Sequence, residues 1–273
     1  MSTLRLVGDA FGSIIRNPLQ ALRISLPVWG LVLLAFLALI GLQNSVPDAP
    51  TYEQMRTIQR VANTIIHGSF MGLIVATAWA AVAWHRHRLV GENVLGIFPR
   101  FQLSAVYGYA WRILMLILLC AIFVLIPALV VGIVIGVNHI VVGNFKPALH
   151  SGAVHVAFTF LVTTVFTSMF LRYAMILPAK AVGETITLSE SWRRTSDRRF
   201  SIIGIAVFYS AATLLYGYLS ITASVFVQLS QIPALAYVQD IFFLFVQWIL
   251  LMLSVSILTT LYAESRPVLR LKM

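Results

Sequence analysis

Six apolar stretches, each about long enough to cross a bilayer, constrain this chain more than any motif in it. A helix needs ~20 mostly apolar residues to traverse ~30 Å of hydrocarbon. The runs fall at about 24–43, 65–84, 112–137, 153–178, 201–229 and 235–262. Each is expected to be helical, because a lone strand in lipid leaves its backbone N–H and C=O groups without partners. The pattern predicts an all-α polytopic bundle with 1–273 as a single integral membrane domain. Composition agrees: 60% of the residues are hydrophobic and 10% are charged, against ~25% charged in a typical soluble domain. The second run is rich in alanine and glycine (Gly72, Ala76, Ala78, Ala80, Ala81, Ala83), so it is expected to pack against protein rather than lipid. Cys120 is the only cysteine and lies inside an apolar run, which excludes an intrachain disulfide framework. No small-residue cleavage site follows the first run, so it reads as a retained span and not a signal peptide.

Charge placement fixes the expected threading. The net charge of +10 would suit a nucleic-acid binder, but the basic residues flank the apolar runs instead of forming one face. Arg5, Arg16 and Arg23 precede the first span. Arg86, Arg88, Arg100 and Arg112 lie between the second and third. Arg172, Lys180, Arg193, Arg194, Arg198 and Arg199 surround the fourth-to-fifth connection, and Arg266, Arg270 and Lys272 end the chain. Only Arg56, Arg60 and Lys146 fall on the other side. The positive-inside rule then places both termini in the cytoplasm. The outer connections are expected to be small, at about 44–64, 138–152 and 230–234.

Three basic-side stretches read as interfacial amphipathic helices. Thr3–Leu19 spaces Leu4, Val7, Phe11, Ile14 and Ile15 helically, and Asn17-Pro18 should end or kink it. The second stretch is about Phe98–Trp111. The third, Thr187–Phe200, opens with Thr187-Leu-Ser-Glu190, a capping-box pattern. The order helix–span–span thus reads as a threefold repeat, echoed by Val90-Gly91-Glu92 and Val182-Gly183-Glu184. Six helices whose loops share composition because they meet the same headgroups account for the pattern equally.

Leu177-Pro-Ala-Lys-Ala-Val-Gly-Glu184, followed by Leu188-Ser-Glu-Ser-Trp-Arg-Arg-Thr195, resembles the middle of a broad group of uncharacterised bacterial six-span membrane proteins. Trp84-His-Arg-His-Arg-Leu-Val-Gly-Glu92 is similar to its shorter members. The group is similar to the membrane domain fused to some glycerophosphodiester phosphodiesterases. The soluble phosphodiesterase domain is not in this sequence, so no catalysis carries over. The resemblance implies a six-span fold in the bacterial inner membrane.

Residues able to carry chemistry are few. Arg86, Arg88, Arg172, Arg193, Arg194, Arg198 and Arg199 are the candidates for binding lipid headgroups, with anionic lipids as the expected partners and other membrane subunits as further ones. Trp84-His-Arg-His-Arg88 reads as an interfacial anchor, since imidazoles at i and i+2 face apart on a helix. Arg172 sits near the basic end of span four, where it snorkels to the headgroups or meets a lipid phosphate or a neighbouring acid. His139, His150 and His155 gather near the outer ends of spans three and four, but no cysteine or carboxylate joins them, so neither metal nor cofactor is expected. Ala128, Gly132 and Gly136 form a small-residue stripe for helix packing, with Pro127 just before it as a kink point. Thr159, Thr163, Thr164, Thr167 and Ser168 either line a polar cleft or bond back to their own helix. No nucleotide loop, nucleophile elbow or zinc-protease pair is present, so no catalytic residue is assigned and the chain is not expected to be an enzyme. An accessory, structural or assembly role is expected, with a transporter or lipid-handling protein as the alternative.

Overall fold

The computed structural model describes residues 2–47, 50–142 and 152–265, with side chains described for these except 127–128, 130–142, 152–155 and 233–234. All regular structure among them is helical. The helices are α1 (Thr3–Ile15), α2 (Pro18–Asn44), α3 (Tyr52–Val90), α4 (Leu103–Val142), α5 (Gly152–Tyr173), α6 (Ile176–Ala181), α7 (Leu188–Arg194), α8 (Arg199–Ser230) and α9 (Pro233–Ser265). A single 3-10 turn, Ser196–Arg198, joins α7 to α8. Six helices are long and apolar enough to cross a membrane, so the chain has the all-α polytopic membrane fold that its hydropathy predicts. Leu33, Leu34, Ile117, Leu118, Phe226 and Phe242 are among many large apolar side chains left exposed on these helices, as a hydrocarbon solvent requires.

Three elements depart from expectation. The connection 44–64 is mostly helix, because α3 starts at Tyr52 and runs 39 residues, or ~58 Å, well beyond the hydrocarbon thickness. Thr51 starts it with a complete capping box: its hydroxyl accepts from the Gln54 amide, and the Gln54 side chain accepts from the Thr51 amide. The second amphipathic stretch is no separate helix, since nothing after Pro99 breaks the chain and Leu103 begins a continuous α4. The repeat is therefore uneven: a short helix precedes α2 and α8, and none precedes α4. Span four ends at Tyr173, earlier than 178. Pro178 has no N–H for the Ala174 carbonyl and its ring crowds that oxygen, so the helix breaks and restarts as α6.

The chain forms two compact units. One comprises Ser13–Arg112 and Leu177–Thr185. Here α2 packs along α3, and a Cβ on Gly72 would lie 2.8 Å from a Leu31 methyl, so a larger residue there would make the Leu31 side chain shift. Ala76, Ala78, Ala80 and Ala81 are buried as expected, and Trp84 and Tyr109 are the largest fully buried side chains in this unit.

Both Val-Gly-Glu echoes in this unit end helices. Gly91 has φ +74° and Gly183 φ +83°, the left-handed C-cap conformation that a β-carbon disfavours by about 1–2 kcal/mol. The Glu184 amide closes the second cap on the Ala179 carbonyl at 2.8 Å. The repeated triplet is thus the same stop signal used twice.

The other unit comprises Met1–Gly12, Ile113–Ile176 and Ile186–Met273. In it α5 packs along α8, α7 touches α5, and α9 buries Met252, Val255, Leu258, Leu261 and Tyr262 towards its end. Thr3 Oγ1 donates to the Ser201 carbonyl at 3.4 Å, tying the start of α1 to α8.

Helix α1 divides into three sectors. Leu6, Ala10, Ser13 and Ile14 are buried; Leu4, Phe11 and Ile15 form an exposed apolar stripe; Arg5, Asp9 and Arg16 form an exposed polar one. One face is packed on protein, one is exposed and apolar and one is exposed and polar, the pattern that its sequence spacing predicts for an amphipathic helix. After α1 the Asn17 side-chain Nδ2 donates to the Ser13 carbonyl at 3.1 Å, and Pro18 takes the first position of α2, where its missing N–H costs nothing.

Candidate lipid-headgroup interface

The basic segment at the α7–α8 junction sorts its arginines into two kinds. Arg194 is held by Glu190 on its own helix, and Arg198 by Glu264 near the end of α9. Arg193 and Arg199 are exposed and join no salt bridge among the described residues. Arg199 lies over the Phe200 ring with 5.0 Å to its centroid. Leu188, Trp192 and Phe200 are exposed beside them. Only half of the expected capping box forms: the Thr187 hydroxyl accepts from the Glu190 amide at 3.2 Å, while the Glu190 carboxylate turns to Arg194.

Arg172, the last but one residue of α5, does not reach a carboxylate. Its guanidinium stacks 3.3 Å from the centroid of the Trp192 ring, and Tyr173 packs on the same indole at 5.1 Å. Cation–π attraction replaces an ion pair. Ser191 Oγ donates to the Arg172 carbonyl at 2.7 Å, so α7 is fastened to the end of α5 through two adjacent residues. The Arg172 Nε is buried without an acceptor.

In the other unit Arg86 is committed to structure. Its Nε donates to Glu92 at 2.5 Å and its Nη1 to the Ala181 carbonyl at 3.2 Å, satisfying the open C-terminus of α6. Arg88, two residues from the end of α3, is exposed and forms no salt bridge among the described residues. Thus Arg88, Arg193 and Arg199 face outward, while Arg86, Arg194 and Arg198 are neutralised by carboxylates.

The Trp84-His85 anchor reading is overturned. Both side chains are 0% exposed, and His85 Nε2 lies 3.0 Å from the Tyr109 hydroxyl. The segment faces inward because α3 continues to Val90, which places residue 84 well inside the helix. The spacing reading took the span to end at residue 84, and a terminal tryptophan looks interfacial. Ala128, Gly132 and Gly136 are helical, but their side-chain surroundings lie outside the described residues, as do those of His139, His150 and His155. Among the described residues no group of three or more His, Cys, Asp or Glu stands together as a metal site.

Many hydroxyls on the spans bond back to their own helix, as Thr163 does to the Thr159 carbonyl at 2.7 Å. In one unit the hydroxyl oxygens of Thr164 of α5, Ser210 of α8 and Ser256 of α9 are buried without a partner. Each lies about three turns, or roughly 13–16 Å, from the end of its helix nearest the basic segments.

Comparison with protein families, curated proteins and solved structures gives no match to this chain.

Proposed function

We propose that the chain is a non-catalytic accessory, structural or assembly protein of the bacterial inner membrane, with both termini cytoplasmic, which engages anionic lipid and a larger membrane complex. The outward pair Arg193 and Arg199, set among exposed Trp192, Phe200 and Leu188, carries this reading. Aromatic and aliphatic groups enter the acyl boundary while free guanidiniums meet phosphate. The sidedness rests on the arginine distribution, and the bacterial membrane on the six-span group that the chain resembles.

Arginines near an anionic surface contribute about 1 kcal/mol each, so replacing both Arg193 and Arg199 with glutamine should weaken enrichment of anionic lipid roughly thirtyfold. Native mass spectrometry of the protein in mixed anionic and zwitterionic lipid measures this. Equal enrichment in the double variant would remove the proposal. Neutralising Arg194 or Arg198 is the wrong test, since each would orphan a carboxylate.

A transport or lipid-handling route is the second reading, favoured by the unpartnered hydroxyls of Thr164, Ser210 and Ser256 at one depth. Such a route is wet. With Cys120 changed to alanine, Ser210→Cys should then react with a membrane-impermeant thiol reagent in sealed vesicles. Complete protection of that cysteine from both sides would eliminate this alternative.

A further inference from the structure

A hollow of about 340 Å³ lies between the last turns of α3 and the loop 91–102. Val82, Ala83 and Arg86 form one wall, and Phe98, Pro99 and Arg100 another, with Glu92 and Asn93 at one end. From these residues we infer that the hollow holds the headgroup of one monoanionic phospholipid whose headgroup carries hydroxyl groups. The inference rests on the reading that this protein engages anionic lipid, and it assigns a discrete site outside the α7–α8 segment.

Three observations carry it. First, the hollow is preformed. The loop is pinned to α3 by Arg86 on Glu92 at 2.5 Å, and to α2 by Arg23 Nη1 on the Val94 carbonyl and by the Val94 amide on Gln20 Oε1, both at 3.4 Å. Phe98 and Phe101 pack on Trp79 with ring centroids 6.5 and 5.0 Å away. A loop ordered in advance loses little entropy when a ligand enters.

Second, the hollow and its loop present uncovered apolar side chains. Leu95 and Phe98, which line it, are 93% and 55% exposed, and Ile97 between them is 71% exposed. On a loop that joins two spans, such side chains belong at the acyl boundary. The mouth of the hollow therefore opens at headgroup depth, and acyl chains have an apolar surface to leave over.

Third, the charges select the ligand. Arg86 and Glu92 cancel one another, whereas Arg100 is exposed and has no salt bridge among the described residues. Of the two arginines that line the hollow, only Arg100 is left without a carboxylate, which suits a phosphodiester monoanion better than a zwitterion or a dianion; Arg23, also without a salt bridge, is spent on the Val94 carbonyl. The Arg86–Glu92 pair and the Asn93 amide supply donors and acceptors for headgroup hydroxyls.

The full chain, purified in mild detergent and stripped of lipid, is titrated in native mass spectrometry with phosphatidylglycerol, phosphatidylcholine and chain-free glycerol 3-phosphate. One tight phosphatidylglycerol adduct is expected, at least tenfold weaker in Arg100→Gln and lost in Ala83→Phe, which fills the hollow. Phosphatidylcholine should bind at least tenfold more weakly than phosphatidylglycerol. The first adduct should survive in the Arg193→Gln/Arg199→Gln variant. Loss there, with Arg100→Gln at wild-type strength, would overturn this site and leave the α7–α8 interface standing. Wild-type binding by both Arg100→Gln and Ala83→Phe overturns the inference. Equal binding of glycerol 3-phosphate would show a soluble phosphate ester as the occupant and overturn the lipid assignment.

Discussion

Glu264→Ala should destabilise the protein by about 3–5 kcal/mol, the cost of leaving one member of a largely buried ion pair without its partner. Arg198 donates to the Glu264 carboxylate, and its Nη2 also donates to the Glu264 backbone carbonyl at 3.3 Å. The two side chains are only 14% and 16% exposed, so solvent screens them weakly. Removing the carboxylate strands a guanidinium between the start of α8 and the end of α9. The midpoint of thermal unfolding in detergent, followed by circular dichroism, should fall on the order of 10 °C. The double variant Arg198→Met/Glu264→Leu should recover most of that loss, because removing both charges also removes their desolvation penalty. A midpoint unchanged in Glu264→Ala would show that the pair does not hold these helices. The clamp bears on the proposed interface too, since it fixes the residue just before Arg199.

Trp84→Ala should be as damaging. Trp84 is fully buried, and deleting a buried tryptophan side chain costs about 3–5 kcal/mol through lost transfer energy and the cavity left behind. In a bilayer the transfer part shrinks, because lipid is nearly as apolar as the core, so the cavity part dominates and the lower end of that range is expected. Trp84→Phe should cost clearly less: it keeps most of the volume and removes an indole N–H that has no acceptor. The same unfolding measurement ranks the two. Were Trp84 an anchor in the headgroup layer, the alanine variant would unfold near the wild-type midpoint and only its depth in the membrane would shift.

Spans five and six were legible to within a few residues, because long apolar runs between polar connections leave the backbone no other solution. The ends of α3 were not legible. Its first turns are polar, and hydropathy is blind to a helix that leaves the hydrocarbon; the local signal was Thr51-x-x-Gln54, whose two side chains cap the helix. Pro178 was visible as a breaker, but the apolar residues around it masked the break. The arginines were legible as a set and illegible one by one. Only the fold brings Glu264 to Arg198 across 66 positions, and only the stop at Gly91 turns Glu92 back onto Arg86. The hollow beside Arg100 had no sequence signature, since it depends on Trp79, Val94 and Phe98 meeting around a loop.

Arg86 grips both the 91–102 loop, through Glu92, and the end of α6, through the Ala181 carbonyl. It acts as a strut between two pieces of chain far apart in sequence. A pull on the loop is therefore borne by α6 through a pair of hydrogen bonds, so whatever seats itself against the loop also tensions the short segment that follows span four.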